Sequence, residues 1–389
     1  MSPALQLNGP ARAVAALLLA GLALSASSSP ASATALPTPI RHVIVIVMEN
    51  QEFSGVIGNP SAPYQNALAS EYALATQYYA AAHPSLPNYL ALVGGSTFGV
   101  SSDCQPGGCS VTATNLADLL AARGLSWKEY AESMPSNCSQ SVSPDGEYVP
   151  KHDPFVYFTG ITNNTGSGQT SPYCQAHVVP FTQFRADLQG GALPNFAFIT
   201  PNICDDAHSC SLSIGDAWLS AVVPEITSSP QFNSTVLFIT YDEGSTNSGF
   251  GPAHGGRVVC IVVSPFARKG FSSDVPYSHY SLLATVESVF GLDNLGRNDV
   301  NATVMSDMFA IPLPAPTGRT LPGGPPVRVF SLESLAAPVA AAAGLALLAF
   351  AAYSLQRRSR RRRTVYMHEK GGSVRDAQAH HEGQGQVEG

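Results

Sequence analysis

Four apolar runs of strand length constrain the fold most: HVIVIVMEN (42–50), NFAFITPN (195–202), STVLFITYDEG (234–244) and GRVVCIVVSP (256–265). Each is rich in β-branched or aromatic residues and apolar almost throughout. Strands covered on both faces have this pattern, whereas half-exposed strands alternate. Helix-like segments lie between them, including SVTATNLADLLAARG (110–124) and SIGDAWLSAVVPEIT (213–227). The alternation predicts an α/β fold with a mostly parallel central sheet and helices on both faces.

The ends of these runs carry the chemistry. The first ends on Glu49 and Asn50, the second on Pro201 and Asn202 leading to Asp205, Asp206 and His208, and the third on Asp242 and Glu243. Open α/β sheets bind ligands beyond the carboxyl ends of their strands, so three strands deliver oxygen-rich residues to one edge. His254 arrives in GPAHGG, just before the fourth run. Glu49, Asn50, Asp242 and Glu243 are hard oxygen donors suited to Ca²⁺, Mg²⁺ or Mn²⁺; with His208 or His254 added, zinc or iron also fits.

The stretch HPSLPNYLALVGGS (83–96) places Ser85 between two prolines. Their fixed φ disfavours helix across 83–87, which predicts a rigid turn at Ser85 and a helix beginning just after it. A serine so held is either a nucleophile or an ordinary exposed turn residue. A cation beside it would stabilise the alkoxide and polarise a phosphoryl oxygen, and the site would transfer phosphoryl groups through serine. The competing enzyme reading is an acyl hydrolase with a Ser-His-Asp triad. No GxSxG elbow occurs, and a triad leaves the paired carboxylates idle.

The ends of the chain read differently from its middle. Residues 1–35 resemble a secretory signal peptide, with AVAALLLAGLAL followed by ASATA. Residues 311–334 are Pro- and Gly-rich and read as a stalk. The uncharged run 335–355 is just long enough to span a bilayer, and QRRSRRRR opens a basic, polar tail over 356–389. The positive flank would stay inside. The expectation is therefore a single-pass cell-membrane protein with an extracellular catalytic domain over 36–310, tethered by its C-terminal anchor. The chain has net charge −7, from 20 Lys and Arg against 27 Asp and Glu. With so many arginines in the tail, the domain itself is more acidic still, which argues against nucleic acid as a partner. Seven cysteines fit an oxidising compartment. Cys104 with Cys109 and Cys204 with Cys210 suggest short loops, and Cys138 with Cys174 a longer one. Cys260, inside VVCIVV, reads as a buried free thiol. A cysteine metal cluster is the alternative, but no CxxC pair occurs.

The segments VMENQEF, HPSLPNY, KHDPFVYF, PNICDDAH, GDAWL, ITYDEG and HGGRVVCIVVSP, in that order, resemble the bacterial phosphoesterase family of acid phosphatases and phospholipases C, specifically its short, membrane-anchored members. The resemblance covers about residues 40–295. It implies an alkaline-phosphatase-like core, a small phosphate-ester substrate, and a serine nucleophile at Ser85 accompanied by Asn88. It implies metal ligation by Glu49, Asn50, Asp242 and Glu243. It also implies roles for Asp205, Asp206 and His208, and for His254. Tyr89 stands where the family usually has arginine, and Gly244 where a histidine usually follows Asp-Glu.

The expected function is hydrolysis of phosphate monoesters through a phosphoserine intermediate, with His208 and His254 stabilising the phosphoryl group or protonating the leaving oxygen. The alternatives are a phospholipase C acting on phosphodiester lipids and a catalytically inactive tethered binding protein. Lys151 and His152 are candidates for substrate contact along with Asn88 and Asp206, or else pin a loop. His279 reads as capping or packing a helix start. Asp216 reads as holding a helix near the site.

Overall fold

The computed structural model describes residues 36–163 and 171–315. The expected signal peptide (1–35), membrane span (335–355) and basic tail (356–389) lie outside the described residues. The four apolar runs form strands in the centre of a nine-stranded sheet. In chain order the strands are β1 (His42–Met48), β2 (Ala73–Tyr79), β3 (Trp127–Ala131), β4 (Val178–Pro180), β5 (Phe196–Thr200), β6 (Thr235–Tyr241), β7 (Arg257–Val263), β8 (Phe271–Ser273) and β9 (Tyr277–Ser278). The spatial order is β4-β3-β5-β1-β6-β7-β2-β8, with β9 also on β2. β5 and β6 flank β1 in parallel, and β3 continues parallel beyond β5. β7 alone runs against its neighbours β6 and β2.

This topology explains why the central strands lack alternation. Every residue of β5 and β6 is buried, and every residue but the first of β1 and β7, because helices cover both faces. The reversed β7 has a consequence for function. Its first residues start at the edge where β1, β5, β6 and β2 finish, so the GPAHGG loop and Arg257 reach that edge from the other direction.

At Ser85 the turn expectation is corrected: the residue opens a ten-residue helix, Ser85–Gly94. Pro84 is the capping residue and Pro87 falls in the first turn, where backbone N–H groups have no helical partner to lose. All ten residues are buried. The amide of Leu86 is met by Asp103 Oδ1 at 3.0 Å, a carboxylate at the positive end of the helix. The helix stops at Gly95, where φ is +68°; a side chain there would collide with Asp299 Oδ1, 2.7 Å from an ideal Cβ.

The three disulfides join Cys104–Cys109, Cys138–Cys174 and Cys204–Cys210, and Cys260 is free and buried. Two expectations about the chain's ends change. The domain does not finish at 310: Ile311 and Leu313 pack against the core, and the Ser288 hydroxyl donates to the Pro314 carbonyl at 2.5 Å. The start of the expected stalk is thus part of the fold. The expected single-pass membrane placement is also corrected, since no helix among the described residues is long and apolar enough to cross a membrane. The longest, Leu212–Thr227, has 16 residues and carries Asp216 and Pro224; at 1.5 Å per residue it falls short of the roughly 30 Å hydrocarbon layer.

Candidate active site

β1 and β6 lie side by side, so the residues just past their ends are neighbours. The Asp242 amide donates to Met48 O and the Glu49 amide to Asp206 O, both at 2.9 Å. Asn50 adopts φ +57°, and its amide donates to Asp242 Oδ1 at 2.9 Å. Ser85 approaches these acids from its helix start. Its hydroxyl donates to Glu49 Oε2 at 3.0 Å and lies 3.4 Å from Glu243 Oε1. One turn along the same helix, the Tyr89 hydroxyl donates to Glu49 Oε1. His83 Nδ1 pairs with Glu243 Oε2, and its Nε2 with the Thr246 carbonyl at 2.9 Å.

The KHDPFVYF loop and the PNICDDAH segment form the facing wall. His152 is buried between two carboxylates, with Nε2 3.3 Å from Glu49 Oε1 and Nδ1 3.2 Å from Asp206 Oδ2. Neither approach is angled as a hydrogen bond. The ring stacks on Tyr89 at 5.3 Å. Lys151 Nζ lies 3.0 Å from Asp103 Oδ2 and 3.4 Å from His208 Nε2.

Burial dominates the electrostatics. It pushes the Glu49 carboxyl well up, with Asp242 and Asp206 adding to the effect. Asp242 rises to about 7 through burial and the neighbouring Glu243. Asp206 rises to about 8, mainly through burial. His152 is held well below the ordinary imidazole range by burial, then by Lys151 and His208. Groups this costly to charge are normally paired, yet Asp242 Oδ2, Asp206 Oδ2 and both His152 nitrogens have no hydrogen-bond partner. Glu49, His152 and His208 can each present one ligand atom within 4.8 Å of the others. Carboxylate oxygens and imidazole nitrogens are donors of the kind that ligate a divalent cation, so the residues fit one.

Some expected residues are placed differently. The Asn88 carboxamide is fully engaged with backbone: Oδ1 accepts from Ala81 and Ala82, and Nδ2 donates to Ala82 and Pro84 carbonyls. It holds the loop before Ser85 and has nothing left for substrate, which corrects its expected role. His152 belongs with the buried carboxylates rather than with an open substrate surface. The His254 side chain is exposed, while its amide donates to Ala81 O at 3.0 Å. His279 is buried at a helix start, linked to Asp242 O at 2.5 Å and the Tyr78 hydroxyl at 3.1 Å. Asp216 accepts from the Tyr64 and Gln65 amides at the start of the helix Pro63–Glu71. Three contributors escaped the sequence reading: His83, Tyr89 as a partner of Glu49, and Asp103. His83 and Tyr89 lie inside the very stretch that singled out Ser85; what hid them was that their partners are 160 and 40 residues away.

A serine held at a helix start among buried acids, at the strand-end edge of a mixed sheet, is an arrangement suited to hydrolytic chemistry. Residues 59–293 match the Phosphoesterase family, and the chain belongs to that family. It is 35% identical over 249 residues to an acid phosphatase of Aspergillus fumigatus, over 61% of this chain but only 53% of the relative. The chain thus spans about half the length of that protein. It is 32% identical over 298 residues to a phosphatidylinositol-3-phosphatase of Mycobacterium tuberculosis, covering 76% of this chain and 91% of the relative. A solved alkaline phosphatase superfamily protein from Vibrio parahaemolyticus matches 69% of this chain and 72% of its own, at TM-score 0.47 and 14% identity. Membership of that family makes the chain a phosphoesterase.

Proposed function

We propose that the chain hydrolyses phosphate monoesters through Ser85 as nucleophile, with a divalent cation held by Glu49, Asn50, Asp242 and Glu243 and supported by His152, Asp206 and His208. The observation that carries this reading is the placement of the Ser85 hydroxyl 3.0 Å from Glu49 Oε2 and 3.4 Å from Glu243 Oε1, inside an acid cluster whose inner atoms lack partners. When bound, the cation supplies positive charge for the developing alkoxide and the transferring phosphoryl oxygens.

The chain's own groups do the rest. Ser85 Oγ forms a bond to phosphorus while the ester O–P bond breaks, leaving phosphoserine and the free alcohol. The serine proton passes to one of the two carboxylates it faces. The Lys151 ammonium stands on the rim, its pKa lowered by burial but raised by more through Glu49 and Asp103; it offsets phosphate charge. His208, beside it, and the exposed His254 are the candidates to protonate the leaving oxygen. Water then attacks phosphorus, releases phosphate and restores Ser85. The helix fixes Ser85 before substrate arrives, so little freedom is lost on attack.

Monoesters are favoured over phospholipase C substrates because the two relatives above are named as phosphatases, one of them over nearly its full length. The test is the ratio of kcat/KM for p-nitrophenyl phosphate and phosphatidylcholine, with and without a chelator. The reading predicts monoester turnover that the chelator removes. A tenfold preference for the lipid would replace it with the phospholipase reading.

A further inference from the structure

Beside the Ser85 site lies a cleft of about 720 Å³ whose wall includes Asn50, Glu52, Tyr79, Ser245, Thr246 and Arg257. It adjoins the reaction centre through Asn50 and Thr246. Asn50 follows Glu49 in the chain and bonds Asp242. The Thr246 carbonyl holds His83, which in turn pairs with Glu243.

Arg257 is the cation in the wall of this cleft. It opens β7 and is the cross-strand partner of Tyr79 at the end of β2. Its guanidinium lies over the Phe53 ring, 4.6 Å from the centroid, and among the described residues nothing accepts a hydrogen bond from it. Lys151 and Arg185, by contrast, have carboxylate partners, and Arg297 donates to carbonyls. Stacking therefore fixes the orientation of Arg257 while leaving its forked donors open, the arrangement that recognises a phosphate or carboxylate. Glu52, the other charged residue in the wall, is turned to Thr246 and accepts from its amide at 2.9 Å and its hydroxyl at 2.5 Å. Gly256 brings the loop this close: at φ +92°, a Cβ would sit 2.9 Å from Glu52 Oε1. Elsewhere in the wall Asn50, Ser54, Ser245, Thr246 and Ser248 offer hydroxyls and a carboxamide, donors and acceptors suited to sugar-like hydroxyl groups.

We infer that this cleft is the leaving-group subsite, and that it takes a polyhydroxy alcohol bearing a second anionic group, which Arg257 binds. The inference rests on the phosphomonoesterase reading. The probes are fructose 1-phosphate and fructose 1,6-bisphosphate, with p-nitrophenyl phosphate as the reference, assayed by phosphate release on the full chain and on R257Q and R257K. The full chain should prefer the bisphosphate over fructose 1-phosphate by roughly tenfold or more in kcat/KM. In R257Q that preference should fall to within about threefold through a rise in KM for the bisphosphate, and R257K should restore part of it. A thermal midpoint for each variant separates lost binding from lost folding. If the reference ester is hydrolysed but the full chain shows no such preference, or R257Q keeps it, the subsite is wrong and the proposed function stands. If the reference ester is not hydrolysed at all, both fall.

Discussion

The two ends of the helix Ser85–Gly94 rest on carboxylate groups built in opposite ways. At its start, Glu49, Asp206 and Asp242 are buried, with Lys151 only at the rim, and Asp206 Oδ2 and Asp242 Oδ2 have no hydrogen-bond partner. At its end, Asp299 is buried too, but its oxygens accept from the Leu295 and Arg297 amides at 2.6 and 2.8 Å. The Arg297 guanidinium there donates to the Gly94 and Thr114 carbonyls at 2.9 and 3.0 Å. Around Asp299 that end is closed by the chain's own donors and cations, while the neighbouring Glu287 carboxyl is buried with neither oxygen hydrogen-bonded. The other end is left open to a cation and a substrate. Burying charge without pairing it opposes folding, so the open end is where function, rather than stability, accounts for the residues.

The largest expected effect comes from removing the nucleophile at the open end. Ser85→Ala should lower kcat on p-nitrophenyl phosphate by roughly three or more orders of magnitude, with an unchanged circular dichroism spectrum and thermal midpoint. Retained turnover would show that the open end is not the reaction centre.

Asp242→Asn should remove bound metal, measured by elemental analysis, together with activity by roughly a hundredfold or more. Because it neutralises a carboxyl that burial already disfavours in charged form, the metal-free variant should melt no lower than the metal-free parent. The closed end should respond in reverse. Asp299→Ala leaves two half-buried amides without their acceptor and should cost about 1–3 kcal/mol of stability by denaturant unfolding, while kcat per folded molecule changes little. If Asp299→Ala proved silent for stability, or Asp242→Asn strongly destabilising without metal, the contrast between the ends would collapse.

The smallest effect concerns pH. Burial, with Asp299 beside it, pushes the Glu287 carboxyl up to about 9. The folded protein holds that proton while the unfolded chain releases it near the ordinary glutamate value of about 4.3. This contribution to stability is therefore undiminished below about pH 4.3, falls as pH rises through the window up to about 9, and is flat above it. Glu287→Gln should flatten that slope, raising the thermal midpoint at pH 8 relative to the parent and changing it little at pH 4.

The sequence reading reached the parts of this molecule that depend on local pattern. β1, β5, β6 and β7 are readable because burial on both faces leaves a continuous apolar run. β2 is not, because ALATQYY is broken by Thr76 and Gln77, and β3 carries Lys128 and Glu129 in WKEYA. The reversal of β7 leaves no mark on composition, since an antiparallel strand buried on both faces looks like a parallel one. At the site, the strand-end acids and Ser85 announce themselves by position. His152 between Glu49 and Asp206, or Tyr89 on Glu49, depends on segments far apart in the chain, and no local pattern encodes it. The helix at Ser85 departs from the expected turn because proline breaks a helix only in its interior, and Pro84 and Pro87 lie at its cap and first turn.

The central claim is that Ser85 carries the phosphoryl group. It is tested most directly by mixing the full chain with p-nitrophenyl phosphate labelled with radioactive phosphorus, quenching in acid during turnover, and mapping the label by peptide. The account predicts acid-stable label on the peptide containing Ser85 and none in Ser85→Ala. Label on any other residue, or efficient turnover in Ser85→Ala, would contradict it.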